Sequence, residues 1–217
     1  MSAYNGVVFD LDGTLLNTLE DIGNAMNRVL KHHGFPAHGM DRYRFFIGDG
    51  SAMLVRRSIP PDSITDTLVS ECLEAFLADY NQSWNIRTKP YAGVQGLLDC
   101  LQERGIKMSV LSNKPHEFTR RCVASFFQNW EMYPVIGRRT GLPPKPDPAG
   151  ATEIARALDL SPASMLYAGD SAVDMQTAVN AGMMPAGVLW GFRDAEELAS
   201  GGAQHLISAP EELLSLL

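Results

Sequence analysis

Cysteine is scarce in this chain, with three residues at positions 72, 100 and 122 of 217. They form no CxxC pair and no metal-ligand spacing, and each falls within a helix-like apolar pattern. That excludes a disulfide framework and fits a reducing, cytoplasmic setting in which buried thiols act as small hydrophobes. Long hydrophobic runs are also missing. No stretch approaches the roughly 18 apolar residues of a membrane span. The first residues carry no basic segment, and Asp10 and Asp12 interrupt the apolar run that would form a leader, so no membrane partner is expected. In that setting the sequon Asn81-Gln82-Ser83 reads as chance. Positive charge is in deficit as well: 18 Lys and Arg stand against 25 Asp and Glu, a formal net charge of −7. A net negative surface repels phosphate backbones, so a nucleic-acid partner is not expected. Repeats and low-complexity segments are absent.

What is present begins with an oddity. The first hydrophobic segment, Gly6-Val7-Val8-Phe9, ends in two carboxylates, Asp10 and Asp12. A carboxylate at the mouth of a core is costly unless paired, hydrogen-bonded or metal-bound. The segment is therefore either a turn with well-capped acids or part of an active site. Gly6–Phe9 reads as a short buried strand. From Asn17 to about His33, Leu19, Ile22, Met26, Val29 and Leu30 recur at helical spacing, and Gly34 and Pro36 end the pattern. Further helices are predicted around 40–46, 50–58 and 63–84. After Thr88-Lys89-Pro90 the texture changes to alternating helices and strands. Strands are predicted at 106–111, 135–136, 165–168, 185–190 and 205–207. Helices are predicted at 94–103, 115–127, 149–158 and 172–181, with a last one at the chain end. Such alternation implies right-handed crossovers and a parallel sheet covered on both faces. The predicted architecture is α/β: a Rossmann-like three-layer core over 1–16 and 86–217, interrupted by an all-helical insertion over 17–85. That insertion leaves from the acidic turn, which would place it as a cap over the carboxyl ends of the strands, where open α/β sheets bind ligands.

The residues that follow the strands carry the chemistry. Asp10, Asp12 and Thr14 follow the first strand, and Ser112 and Asn113 the second. Lys145, set among Pro143, Pro144, Pro146 and Pro148, lies beyond the third, and Gly169-Asp170-Ser171 with Asp174 follows the fourth. Each piece alone has a plain structural reading: a capped turn, a helix cap, a solvated loop lysine, an N-cap. Their joint occurrence at successive strand ends, which a parallel sheet brings to one edge, points to a site for a hard cation and an anion.

FDLDGTLLNT at 9–18, LSNK at 111–114, KPDP at 145–148 and AGDSAVD at 168–174 together resemble the haloacid dehalogenase superfamily, specifically its phosphatases with a helical cap inserted after the first strand. Within it the sequence resembles the phosphoglycolate phosphatases most, on FIGDG at 46–50 and GVLWGF at 187–192. The resemblance implies Mg²⁺-dependent hydrolysis of a small phosphorylated metabolite through an aspartyl-phosphate. Asp10 would be the nucleophile and Asp12 the acid and base. Asp10, Asp170 and the Asp12 backbone carbonyl would hold the metal, with Asp174 bound directly or through a water. Thr14, Ser112, Asn113 and Lys145 would bind the phosphoryl group, and Lys145 would also shield Asp10 from repulsion. In the cap, Gly48, Gly50 and Arg56 would contact an anionic substrate, with 2-phosphoglycolate the leading one. Asp49 departs from that logic, since a negative residue there opposes a carboxylate substrate unless it points away. The alternatives are a sugar-phosphate mutase of the same architecture and a receiver-like phospho-acceptor module. The inserted helical block argues against the latter. The histidines have no partner spacing, Trp190 reads as core, and a monomer or homodimer is expected.

Overall fold

In a computed structural model, residues 4–217 are described. They divide into two compact units: residues up to Leu16 together with Pro90–Leu217, and the insertion Asn17–Lys89. The expected end of the insertion at residue 85 thus moves to 89. The elements at the crossings explain the shift. The chain leaves along a two-residue strand β2 (Leu16–Asn17), which follows β1 (Gly6–Phe9), and returns along β3 (Lys89–Pro90). The two short strands pair as a ribbon, too brief for hydrophobic periodicity to reveal.

Within the insertion, α1 (Leu19–His32), α2 (Met40–Phe46), α3 (Ser51–Ser58) and α4 (Asp66–Ser83) follow in order, with a 3₁₀ turn at Pro61–Ser63. The stripe read from the sequence of α1 is the buried one: Leu19, Ile22, Met26, Val29 and Leu30 all face inward. Asp21 is buried with them. Its carboxylate accepts from both successive amides at the end of the insertion, Arg87 N at 2.9 and 3.0 Å and Thr88 N at 2.8 Å, and from Thr88 Oγ1 at 2.8 Å. A charged acceptor satisfying three donors offsets its own desolvation and ties the last turn of the unit to its first helix.

The larger unit continues through α5 (Val94–Glu103), β4 (Lys107–Pro115), α6 (His116–Phe126), β5 (Met132–Arg138), α7 (Ala149–Ala157), β6 (Met165–Gly169), α8 (Ala172–Ala181), β7 (Met184–Val188), α9 (Ala195–Gly201) and β8 (His205–Ile207). The sheet has the order β5-β4-β1-β6-β7-β8, with every pairing parallel. Helices cover both faces, giving the Rossmann-like architecture expected from the alternation. β1 lies centrally between β4 and β6, and its four residues are all buried. A strand covered on both faces reads as a continuous apolar run, as Gly-Val-Val-Phe does. The order reverses direction around β1, since the chain first builds outward to β5 and then returns to β6. The switch point, where open α/β sheets bind ligands, is therefore at the carboxyl end of β1.

Three expectations change. The chain ends in a 3₁₀ segment, Pro210–Ser215, rather than an α-helix, with proline opening its first turn. β4 runs on through Ser112, Asn113 and Lys114 to Pro115, so the expected phosphate ligands sit in the strand's last residues rather than after it. β7 stops at Val188, leaving Trp190 in the turn that follows. Of the cysteines, Cys72 and Cys122 are buried and Cys100 is half-buried. No helix among the described residues is long and apolar enough to cross a membrane.

Asp21→Ala should lower unfolding free energy by about 2–4 kcal/mol, since it removes a charged acceptor from three donors. Urea denaturation checks this through a lower midpoint, and Asp21→Asn should recover part of the loss. A midpoint unchanged by Asp21→Ala would show that the staple carries no stability.

Candidate active site

The carboxyl edge of the sheet gathers four of the expected groups into one cluster. Asp10, one residue beyond β1, accepts from Lys145 Nζ at 2.8 Å. The same ammonium donates to Asp174 Oδ1 at 2.6 Å and to the Leu111 carbonyl at 3.2 Å, using all three of its protons. Lys145 is far from the solvated loop residue that its proline-rich setting allowed, since its side chain is 4% exposed. Its backbone is clamped by Asn113, whose Oδ1 accepts from Lys145 N at 2.9 Å and whose Nδ2 donates to Lys145 O at 3.3 Å. The Asn113 side chain therefore positions Lys145, a role its place in LSNK did not reveal.

Oxygen atoms of Asp10, Asp170 and Asp174 lie within 4.8 Å of one another, and all three residues are buried. Asp174 opens α8 in a capping box: Ser171 N and Oγ donate to its Oδ2 at 3.1 and 2.5 Å. Asp170 accepts from Phe192 N at 2.7 Å. The turn carrying that amide is tightly built. Trp190, read from the sequence as core, is only partly buried and donates from Nε1 to the Thr14 carbonyl at 2.9 Å, bracing the turn against the acidic loop. A Cβ at Gly191 would overlap Asp170 and the Gly13 carbonyl oxygen. Gly13 itself has φ +91°, and a Cβ there would overlap the Asp170 carboxylate. The DGT turn and the WG turn thus need glycine for close approach to Asp170.

The charge of this cluster is unbalanced. Three buried carboxylates share one buried ammonium, leaving a formal excess of two negative charges. The strain shows in the ionisation. Burial, with the Asp174 and Asp12 charges added, overrides the attraction of Lys145 and pushes the Asp10 carboxyl up to about 7. Burial and the neighbouring Asp174 and Asp10 charges hold Asp170 well above the usual carboxylate range. Attraction to Asp10 and Asp174 outweighs burial at Lys145 and holds its ammonium firmly protonated. A cluster of oxygen ligands lacking two positive charges has the chemistry of a divalent, hard-cation site.

The other expected residues are placed as follows. Asp12 pairs with Lys114, whose Nζ lies 3.0 and 3.2 Å from its two carboxylate oxygens. Nothing in the LSNK motif by itself marks Lys114 for this pairing. Ser112 is buried at the end of β4, where its Oγ accepts from Lys114 N at 3.3 Å. Thr14 stands apart from these polar contacts. Its buried Oγ1 has no hydrogen-bond partner among the described residues, and Thr14 lines a small pocket with Phe9, Leu15, Val94 and Leu213. Gly48, Gly50 and Arg56 belong to the helical unit. Both glycines have positive φ, +129° and +89°, as the turn into α3 requires. Arg56 reaches outward to an exposed Asp66 at 3.6 Å. The arginine drawn against FIGDG is instead its neighbour Arg57, which donates to the Phe45 and Phe46 carbonyls and pairs with Asp49. The Asp49 charge is thus neutralised within the unit.

Two outcomes follow from this geometry. A carboxyl raised from roughly 4 to about 7 favours folding when protonated. Its contribution is present below roughly pH 4 and is lost as pH rises toward 7. Protein stripped of divalent ions should therefore gain more thermal stability from Mg²⁺ at about pH 8 than at about pH 5. An equal rise in Tm at both would contradict the charge imbalance. Gly191→Ala should force Asp170 aside and weaken Mg²⁺ binding by roughly tenfold or more, read by calorimetric titration. Unchanged affinity would show that the turn does not position Asp170.

A model of the haloacid dehalogenase-like hydrolase family matches residues 7–188. The chain is 33% identical over 217 residues to a phosphoglycolate phosphatase of Pseudomonas putida, covering 96% of this chain and 78% of that protein. It is 31% identical over 212 residues to phosphoglycolate phosphatase 1 of Pseudomonas aeruginosa, with the same coverage. A crystal structure from Lactobacillus delbrueckii subsp. bulgaricus, provisionally described as a phosphoglycolate phosphatase, matches with a TM-score of 0.92 at 29% identity, covering 100% of this chain and 99% of that one. Matched over most of its length, and with the acidic cluster at the switch point of its sheet, the chain belongs to the haloacid dehalogenase-like hydrolase family.

Proposed function

We propose that this hydrolase cleaves the phosphate monoester of a small anionic metabolite through a phosphoryl group carried on Asp10, with 2-phosphoglycolate as its substrate. The observation that carries the reading is the buried set of Asp10, Asp170 and Asp174 around Lys145, at the carboxyl end of the central strand. The substrate choice is supported by the names of relatives about 30% identical over 96% of the chain.

Asp10 attacks phosphorus, and the bond from phosphorus to the ester oxygen breaks. Asp12 gives its proton to the departing alkoxide. Water then attacks the phosphorus of the aspartyl-phosphate, Asp12 takes the proton from that water, and phosphate leaves with Asp10 restored. Ser112, the amides of Asn113 and Asp12, and Lys145, which gives up one of its three present contacts to do so, hold the oxygens over which transition-state charge spreads. Asp10, Asp170 and the Asp12 carbonyl, with Asp174 directly or through a water, would hold a divalent cation, whose positive charge would let a carboxylate approach a phosphate dianion. Within this set, Asp174 also fixes the Lys145 ammonium that shields Asp10.

Phosphate release from a panel of small phosphomonoesters tests the reading. The expected result is Mg²⁺-dependent turnover with a preference for 2-phosphoglycolate, lost on chelation and in Asp10→Asn, and lowered roughly 10²- to 10⁴-fold in Asp12→Asn. Turnover of other esters but not this one keeps the chemistry and discards the substrate. Isomerised sugar phosphate with little free phosphate, or stable phosphorylation without turnover, overturns the hydrolase assignment of the site.

A further inference from the structure

Lys114 is a buried cation that the proposed reaction does not use. Lysine is rarely buried unless paired, and here the side chain is 4% exposed against 11% for its partner Asp12. Its backbone is held on both sides: Ser112 Oγ accepts from its amide at 3.3 Å, and Thr119 Oγ1 donates to its carbonyl at 3.2 Å. Gly137 on the neighbouring strand β5 packs so closely against that carbonyl that a Cβ there would overlap it. The ammonium thus starts from a fixed point at the end of β4, next to β1 in the sheet.

Its contact is with both oxygens of Asp12, at 3.0 and 3.2 Å. One contact would leave the carboxylate free to turn about its last bond, whereas contact with both oxygens restrains its plane as well as its position. Asp12 also lies close enough to Asp10 for their charges to repel, and the Lys114 ammonium supplies the opposite charge on the Asp12 side. Resting on the phosphatase reading above, we propose that Lys114 is the positioning residue of Asp12, holding its carboxylate where it exchanges a proton with the leaving group and with water. Lys145 does for the nucleophile what Lys114 does for the acid and base, so the two lysines have separate clients.

The signature of such a role is dependence on the leaving group. An alkoxide leaves phosphorus only with a proton, whereas p-nitrophenolate leaves without one. Lys114→Met, which keeps the aliphatic stem and removes the charge, should therefore lower kcat on 2-phosphoglycolate by roughly 100-fold with KM changed by less than about threefold. The loss on p-nitrophenyl phosphate should be at least about tenfold smaller. In an Asp12→Asn background, Lys114→Met should add no further loss beyond about threefold, because its client is already disabled. Lys114→Arg should restore part of the alkyl-ester activity, and Lys114→Gln, which keeps a donor on a similar stem, serves if the methionine variant does not fold. Equal losses on both esters with a raised KM would overturn the proposal and make Lys114 a substrate ligand. Additive losses in the double variant would overturn it too. Wild-type enzyme inactive on both esters would instead defeat the phosphatase reading, and this inference with it.

Discussion

One buried ammonium organises this molecule's polar centre. Lys145 reaches from the loop after β5 to Asp10 after β1 and to Asp174 at the start of α8, and its third proton goes to the Leu111 carbonyl in the middle of β4. Three segments distant in sequence are thereby held to one point. Lys145 can do this because its own backbone is clamped by Asn113. It does not neutralise the cluster, however. Two negative charges stay uncompensated, and the raised Asp10 and Asp170 carboxyls express that imbalance. Buried acids in excess of their cations are relieved either by an external cation or by protonation, so the cluster has the chemistry to accept a cation.

The sheet explains why these groups can meet at all. In an all-parallel sheet every strand delivers its following residue to the same edge, and the reversal of order at β1 opens a crevice there. Two glycine-dependent turns, at Gly13 and Gly191, then let backbone close on Asp170 more nearly than any side chain would allow. The Trp190 indole ties the second turn to the first. Rigid supports of this kind hold the Asp170 carboxylate within a narrow geometry.

Much of the fold was legible because apolar runs and the turn residues that bound them mark elements locally. The α1 stripe, the buried run of β1, α8 at 172–181 and β8 at 205–207 all followed from periodicity and turn residues. What periodicity missed was short or locally ambiguous. The β2–β3 ribbon has two residues per strand, and the 3₁₀ ending at 210–215 shares its composition with an α-helix. At the insertion, the choice between Arg56 and Arg57 depends on which face of α3 turns toward residues 45–49. Adjacent arginines cannot be told apart by spacing alone.

The sequence by itself determined the α/β alternation, the helical insertion after the first strand, and the acids, lysine and serine at the strand ends. Those signals are local: each needs only a period, a turn or a short motif. The tertiary structure alone decided how the charges pair. It gave Lys145 to Asp10 and Asp174, Lys114 to Asp12, and Arg57 to Asp49. It also set the Asn113 side chain against the Lys145 backbone and placed Thr14 beside an apolar pocket. Electrostatic partnership depends on distance and burial, and between residues as far apart in sequence as Asp10 and Lys145 neither exists until the sheet has formed.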